Sequence, residues 1–370
     1  MTISDPTPLP PTEYGYVDAQ GPHPASREEL VAMCREGLIP PLVWTPESDG
    51  PVSTEEVPFL LDAIRARLAG GAKTQAIIVG AIVAVLAFQR FQEGQLYPGS
   101  PWSVYLLFGV VWAGLRVREW HTSRTLTPQG FRDMIRQAEE AATLRRVPVV
   151  YLRWVAGMIV VGGLAQGVAV AAGFPEHAIL AGGMVPGAIR EGQWWRLLTC
   201  GFLHGGLIHF GVNFMALLSL GRETEVLAHR AYVPLVFLAA VLAGSLASFA
   251  APPDVPSVGS SGGLMGLIGF LGVLGYRRRE SMPSGFLKMV GLNLAVIAGI
   301  GIVGFGLIDN AAHAGGLAAG ALLGALFVPT HGARPVWTPG PALQAAGMAA
   351  MGVLALGAAW TALVVVLPVL

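Results

Sequence analysis

Charged side chains are scarce in this sequence. Asp, Glu, Lys and Arg make up 12% of the 370 residues, whereas a soluble protein averages about 25%. The hydrophobic fraction is 53%, and 49 residues are glycine. This composition argues against an ordinary soluble domain and predicts a membrane protein.

Neither sign of charge dominates, and cysteine is nearly absent. The 23 basic residues balance the 23 acidic ones, so no net charge attracts nucleic acid, and we expect no nucleic-acid partner. Two cysteines, Cys34 and Cys200, are too few for a disulfide framework. The N-terminus is polar and proline-rich rather than basic and then apolar, so no cleavable signal peptide is predicted.

Residues 1–73 are predicted to form a cytosolic N-terminal region with no chemistry of its own. Proline and polar residues dominate 1–25, which we expect to be disordered. The segment "PPLVWTP" predicts an extended stretch between two short helices. Two pairs of residues have the spacing of a capping box at a helix start: Ser26 with Glu29, and Ser53 with Glu56.

Long apolar runs follow, and a spanning helix needs about 20 largely apolar residues. The candidate spans are 74–92, 101–116, 149–173, 198–220, 232–250, 259–276, 286–307, 310–328 and 343–368. The first two are short and could instead form one re-entrant hairpin. The polar stretch 117–147 predicts an amphipathic surface helix. The chain thus divides into 1–73, two extra spans with a linker helix (74–147), a core (148–330) and an additional C-terminal span (331–370).

Lysine and arginine occur in every second loop between these runs. Because basic loops remain in the cytoplasm, the pattern predicts a cytoplasmic N-terminus and, with nine spans, an outside C-terminus. Arg90 and Arg190 do not fit this pattern, because they fall on the outer side of the membrane in this topology. We expect a multi-pass protein of the plasma membrane.

Polar residues within spans are unfavourable and usually functional, and a first group opens the run 259–276. Gly259, Ser260, Ser261 and Gly262 place serine at a glycine-rich helix start, where free backbone N–H groups favour an anion. Gly266 lies on the same face as Gly262, which permits another helix to approach closely. The alternative interpretation is a packing helix capped by serine.

A second group opens the run 310–328. His313 precedes Gly316, Gly320 and Gly324, which repeat every four residues and form a close-packing face. A histidine beside such a face can reach a partner on the apposed helix, or it can be hydrogen-bonded for structure alone. Asp309 could orient His313, but a helix N-cap is the interpretation we favour.

His209 and Asn213 form a third group, four residues apart on one helix face. An asparagine amide is a competent oxyanion donor, although the pair could also be an interhelical hydrogen bond that holds the bundle together. Together the three groups supply a nucleophile, a base and oxyanion donors on three spans. Ser261 and His313 both lie near the outer ends of their spans, and hence at similar depth.

In these motifs the sequence resembles the rhomboid intramembrane serine proteases over residues 148–330. The family's Gly-x-Ser-Gly motif is matched in a register that selects Ser261 over Ser260, since position 258 is valine. The order and spacing of four motifs agree with the family: Trp195-Arg196, His209 to Asn213, Gly259 to Gly262, and His313 with Gly316 and Gly320.

The resemblance implies an all-α polytopic membrane fold with a six-helix core. It implies a Ser261–His313 dyad without a third acid, in a serine endopeptidase that cuts transmembrane proteins. Asn213, His209 and the Ser261 backbone N–H would hold the oxyanion. The expected substrates are single-span or polytopic membrane proteins in the lipid bilayer, with no cofactor and no metal.

Further implications concern supporting residues. Trp195 and Arg196 would brace the first outer loop. Met265 stands where many family members carry an aromatic residue that packs on the histidine ring, and its thioether can also pack on a ring. The principal alternative is a catalytically inactive rhomboid-like protein that binds membrane clients. A transporter would usually show an internal repeat and charges at mid-membrane, and the sequence shows neither.

Overall fold

The computed structural model describes residues 14–97, 100–251, 256–330 and 339–370. It divides into two compact units, which are considered separately. The first contains Met1–Tyr97 and Trp102–Glu139, and the second contains Pro98–Pro101 and Glu140–Leu370.

The first unit begins with a four-stranded antiparallel sheet in the order β2-β1-β3-β4. The strands are β1 (Gly15–Asp18), β2 (Gly21–Pro24), β3 (Leu42–Trp44) and β4 (Val52–Ser53). The extended stretch is therefore confirmed as β3. The prediction of disorder over 1–25 is wrong for residues 14–25, while 1–13 lie outside the described part. Strands of two to four residues are too short to carry a readable alternation of side chains.

Helix α1 (Arg27–Glu36) confirms the first capping box. The Glu29 amide donates to Ser26 Oγ (3.2 Å), and the Ser26 amide donates to the Glu29 carboxylate (2.6 Å). Leu30 and Cys34 are fully buried beneath the helix. Burial raises the pKa of the Cys34 thiol to about 11, so this cysteine is an unreactive core residue.

The prediction of a second capping box, at Ser53 and Glu56, is wrong. Ser53 makes no side-chain cap bond, and Thr54–Glu56 form only a 3-10 turn. The following helix, α2 (Pro58–Gln92), is 35 residues long and continues through residue 73 into the first apolar run without a break. Pro58 starts this helix because proline is preorganised for the first helical turn.

Two further helices complete this part of the chain, α3 (Pro101–Arg124) and α4 (Pro128–Arg146). The single surface helix expected over 117–147 is therefore the end of α3 followed by α4. Thr127 separates them, because its Oγ1 accepts the Gly130 N–H (3.0 Å) and Pro128 favours a new helix start.

The second unit contains ten helices among its described residues. They are α5 (Tyr151–Ala171), α6 (His177–Gly182), α7 (Pro186–Arg190), α8 (Arg196–Thr199), α9 (Leu207–Leu227), α10 (Tyr232–Ala250), α11 (Ser261–Arg277), α12 (Phe286–Val303), α13 (Asn310–Phe327) and α14 (Pro341–Val366). The apolar runs that begin at 149, 232, 286, 310 and 343 each correspond to one of the long helices. Part of the region 331–370, namely 331–338, lies outside the described residues.

The prediction of one continuous span over 198–220 is wrong. The chain bends by 93° between Arg196–Phe202 and Leu207–Leu227, and α9 begins only after the bend. Gly206 allows the bend because it adopts φ +132°, a conformation that residues with a Cβ rarely adopt.

Six helices in the described ranges are long and apolar enough to cross a membrane, and the bent pair would be a seventh span. The two other runs form α3, whose last turns are charged, and α11, which has 17 residues. The prediction of an all-α polytopic membrane protein is confirmed for the main body, to which the N-terminal sheet is a small addition. The protein is an integral multi-pass membrane protein.

Helices α10, α11 and α13 form the centre of the second unit, and glycine sets their spacing. A Cβ on Gly316 of α13 would overlap the carbonyl of Gly262, and one on Gly320 would overlap the carbonyl of Gly266. The glycine faces of α11 and α13 therefore pack directly against each other, backbone on backbone. This contact fixes the relative depth of the two helix starts.

Glu225 joins α9 to the start of α5 within the second unit. Its carboxylate accepts backbone N–H groups from Val150 (2.6 Å), Tyr151 (3.1 Å) and Leu152 (2.8 Å). These donors lack intrahelical acceptors because they lie at a helix N-terminus.

We expect Glu225→Ala to lower the free energy of unfolding by about 1.5–3 kcal/mol, the range for hydrogen bonds to a charged group. Glu225→Gln keeps an acceptor oxygen and should lose less. Thermal unfolding of the purified protein in detergent measures both variants. Glu191→Ala, which removes an exposed carboxylate, is the control, and equal losses for Glu191→Ala and Glu225→Ala would contradict this role.

Candidate active site

Ser261 is the first residue of α11 and lies two residues after Gly259, a glycine with positive φ. Gly259 adopts φ +133°, where a residue with a Cβ would be strained, and its N–H donates to the Cys200 carbonyl (2.9 Å). This turn places Ser261 at the helix N-terminus, among backbone N–H groups that have no intrahelical acceptor.

His313 reaches Ser261 from the first turn of α13. Its Nε2 lies 2.9 Å from Ser261 Oγ, and both residues are half-buried. When Nε2 is unprotonated, the serine hydroxyl donates to it and Nδ1 carries the ring proton. This is the separation required between a serine nucleophile and its general base.

Ser260 faces a different histidine. Its fully buried side chain lies with Oγ 3.4 Å from Nε2 of His204. The two consecutive serines thus point to different partners, and only Ser261 contacts His313 among the described residues.

His204 is a buried residue that the sequence analysis missed. The side chain of Gln166 in α5 makes two hydrogen bonds to the His204 backbone. Its Oε1 accepts the His204 N–H (3.0 Å), and its Nε2 donates to the His204 carbonyl (2.6 Å). The detectable signal was a glutamine within an apolar span, since such polar groups are unfavourable there unless they are hydrogen-bonded.

His209 lies beside the serine turn. A Cβ built on Gly259 would be 3.0 Å from His209 Cε1 and 3.7 Å from Ser261 Oγ, so the ring and the hydroxyl flank the same glycine. His209 Nδ1 accepts the Gly205 N–H (3.2 Å). In the neutral ring the proton is then on Nε2, where it can be donated to a ligand.

Asn213 lies one turn further along α9 and is buried. Its Nδ2 donates to the His209 carbonyl at 2.9 Å. Because an amide carries two N–H donors, one remains for a ligand. The four predicted catalytic and oxyanion residues therefore lie within the first two turns of α9, α11 and α13.

Arg196 and Trp195 occupy the loop region between α5 and α9. Arg196 is 7% exposed, and its Nη1 donates to the carbonyls of Leu180 (2.8 Å) and Gly183 (2.9 Å). The rings of Trp195 and Trp360 meet edge to face with centroids 6.1 Å apart. These contacts join the loop to α6 and to α14.

Asp309 supports the start of α13 rather than the histidine ring. Its Oδ1 accepts the Ala312 N–H (2.8 Å), which confirms the helix cap. Its Oδ2 accepts the hydroxyl of Ser248 from α10. Ser248 was missed, because a single serine in an apolar helix gives no sequence signal of its partner. The cap fixes the first turn, which carries His313.

Comparison with known proteins matches the part of the chain that contains this candidate site to a known domain. Residues 191–330 match the family model of the rhomboid domain. The chain is 38% identical over 163 residues to "Rhomboid protease GluP" of Bacillus subtilis (strain 168), covering 43% of this chain and 31% of that protein. It is 33% identical over 144 residues to "RHOMBOID-like protein 4" of Arabidopsis thaliana, covering 39% and 36%. The chain thus spans about a third of the length of these relatives.

Proposed function

We propose that this chain, whose residues 191–330 match the rhomboid domain, is an intramembrane serine endopeptidase that uses a Ser261–His313 dyad. The observation that carries this proposal is the 2.9 Å contact between Ser261 Oγ and His313 Nε2. A nucleophile beside a base at the close-packed start of two apolar helices has the geometry for acyl transfer.

In the proposed reaction, Ser261 Oγ attacks the carbonyl carbon of the substrate while its proton passes to His313 Nε2. The C–N bond then breaks, and His313 gives the proton to the leaving amine. Water, deprotonated by the same ring, attacks the acyl-enzyme ester and releases the carboxylate product and Ser261. A dyad suffices because the histidine serves first as base and then as acid.

The developing oxyanion requires fixed hydrogen-bond donors. The N-terminus of α11 offers the Ser261 backbone N–H, because the first N–H groups of a helix have no intrahelical acceptor. Nε2–H of His209 and the second N–H of the Asn213 amide are the side-chain donors of this proposal. His209 and Ser261 both lie beside Gly259, and Asn213 is held one turn further along α9 by its bond to the His209 carbonyl.

We expect Asn213→Ala to lower the cleavage rate without abolishing it. The variant removes one donor among several, and loss of one oxyanion donor typically reduces kcat by about 10²–10³-fold. Steady-state cleavage of one fluorogenic transmembrane peptide measures the loss. An unchanged rate would remove Asn213 from the oxyanion site, and so would a rate as low as that of Ser261→Ala.

The proposed substrates are single-span or polytopic membrane proteins within the lipid bilayer. Peptide bonds in a helix are shielded, so we expect a substrate helix that unwinds easily near its outer end. Glycine or proline beside the cleaved bond lowers the free energy of unwinding by about 1–3 kcal/mol relative to alanine.

The proposal is tested by incubating the purified protein with a panel of single-span substrates. We expect cleavage by the natural sequence and by Ser260→Ala, but none by Ser261→Ala. Ser260→Ala is the matched control, because its hydroxyl faces His204 (3.4 Å) rather than His313. Substrate binding without cleavage in every variant would replace this proposal with a non-catalytic client-binding function.

We also propose a cytoplasmic N-terminus, on the evidence of the basic loops. Glu176 and Glu280 are exposed and lie in loops assigned to opposite sides, while Cys34 and Cys200 are both buried. In intact cells, an impermeant thiol reagent should label Glu176→Cys and should label Glu280→Cys only after permeabilisation. The reverse pattern would invert the orientation.

A further inference from the structure

A groove of about 530 Å³ lies on the first unit between α2 and α3. Small residues of α2, including Ala66, Ala69 and Gly70, form its floor. Lys73 at one end and Trp120 with Arg124 on α3 form its walls. The small side chains leave a recess between the two helices, and the longer ones close its sides.

The groove lies where both helices change from polar to apolar. Arg116 of α3 donates to the Gln75 side chain of α2 (3.3 Å), which places these residues at the same level. Beyond Gln75, the exposed apolar surface of α2 begins with Ile77 and Ile78. The groove is on the polar side of this level, at the depth that lipid headgroups occupy beside an apolar span.

The groove carries excess positive charge. Arg65 is neutralised by Asp62, whose carboxylate lies 2.7 Å from its Nη1. Lys73 and Arg124 are exposed and form no salt bridge within the described ranges. The Arg124 guanidinium lies over the Trp120 ring, 5.4 Å from its centroid, which restrains it at the groove wall.

We propose that this groove binds the phosphate group of an anionic phospholipid, between Lys73 and Arg124. A phosphodiester carries one negative charge shared by two non-bridging oxygens, which two cations can contact together, and arginine is suited to phosphate geometry. Trp120 is an aromatic residue of the type found at membrane–water interfaces. The acyl chains would extend along the apolar surface of α2 beyond Gln75. This site is independent of the proposed proteolysis.

The test is a lipid titration of the purified full-length protein in neutral detergent, followed by mass spectrometry of the intact complex. We expect phosphatidylglycerol to bind more tightly than phosphatidylcholine. Lys73→Gln/Arg124→Gln should weaken phosphatidylglycerol binding by roughly 25-fold, about fivefold for each charge. Arg118→Gln removes an exposed charge from α3 outside the groove and should have no effect.

A second pair of variants fills the groove without changing its charge. A Cβ on Gly70 or on Gly71 meets no atom of the described residues within 4 Å, so leucine fits on the helix at either position, but only Gly70 lines the groove. Gly70→Leu should weaken phosphatidylglycerol binding at least fivefold, and Gly71→Leu should not. Three results would overturn the proposal: equal affinity for the two lipids, equal effects of the two leucines, or displacement by inorganic phosphate at lipid-like concentrations.

Discussion

We expect Ser261→Ala to abolish peptide-bond cleavage, His313→Ala to do the same, and the double variant to be no worse than either. This result is expected because the hydroxyl and the ring act as one unit across their 2.9 Å contact. Without His313 the hydroxyl keeps its proton, and without Ser261 the ring has no nucleophile to activate. Losses on the order of 10⁴–10⁶-fold are typical when such a unit is broken.

The measurement is single-turnover cleavage of one transmembrane substrate by the natural sequence, the two single variants and the double variant. Ser260→Ala again serves as the control for removing a neighbouring hydroxyl. Losses that multiply in the double variant would show that the two residues act separately. Loss of cleavage in Ser260→Ala together with cleavage by Ser261→Ala would assign the nucleophile to Ser260. Cleavage by the double variant Ser260→Ala/Ser261→Ala would exclude serine catalysis.

Replacing Gly320 with leucine should prevent stable folding of the second unit. The Gly320 Cα hydrogens face the carbonyl of Gly266, where even a Cβ would overlap the backbone. The neighbouring helix can yield only by moving as a whole. Overpacking costs about 1–3 kcal/mol when side chains adjust, and we expect Gly320→Ala to lose at least that much and Gly320→Leu more.

Thermal unfolding in detergent and recovery after membrane extraction measure these effects. Gly352 of α14 offers the matched control, because a Cβ there meets nothing within 4 Å in the part of the chain that the structure describes. Gly352→Ala should leave stability unchanged or raise it, since alanine favours a helix over glycine by about 1 kcal/mol. If Gly320→Ala were as harmless as Gly352→Ala, the close packing of α11 on α13 would not be needed for stability.

Because Ser261 and His313 are carried by the two helices that this glycine contact joins, the packing also bears on the dyad. A shift of α13 along α11 would change the Oγ–Nε2 distance directly. Partly folded Gly316→Ala protein is therefore expected to lose activity faster than it loses helix content. In the proposed protease, the glycine faces would contribute to catalysis by holding the dyad in position rather than by chemistry.

The sequence by itself determined the membrane class, most of the long helices and the residues of the candidate site. Apolar runs such as 232–250 end where the helix ends because transfer of the backbone into lipid requires a continuous hydrogen-bonded helix. The capping box at Ser26 and Glu29 was equally readable, since it depends only on local spacing. The site motifs were visible because polar residues within apolar runs are rare.

The tertiary structure decided what depends on contacts between distant segments. The N-terminal strands are two to four residues long and form only because they pair with one another. The Ser248–Asp309 bond and the contact of His204 with Ser260 each join segments far apart in the chain. The bend before α9 contains His204, whose backbone is bonded to the distant Gln166 side chain. Local periodicity carries no information on such pairs, because a hydrogen bond between segments is specified by the packing of the helices that bring them together.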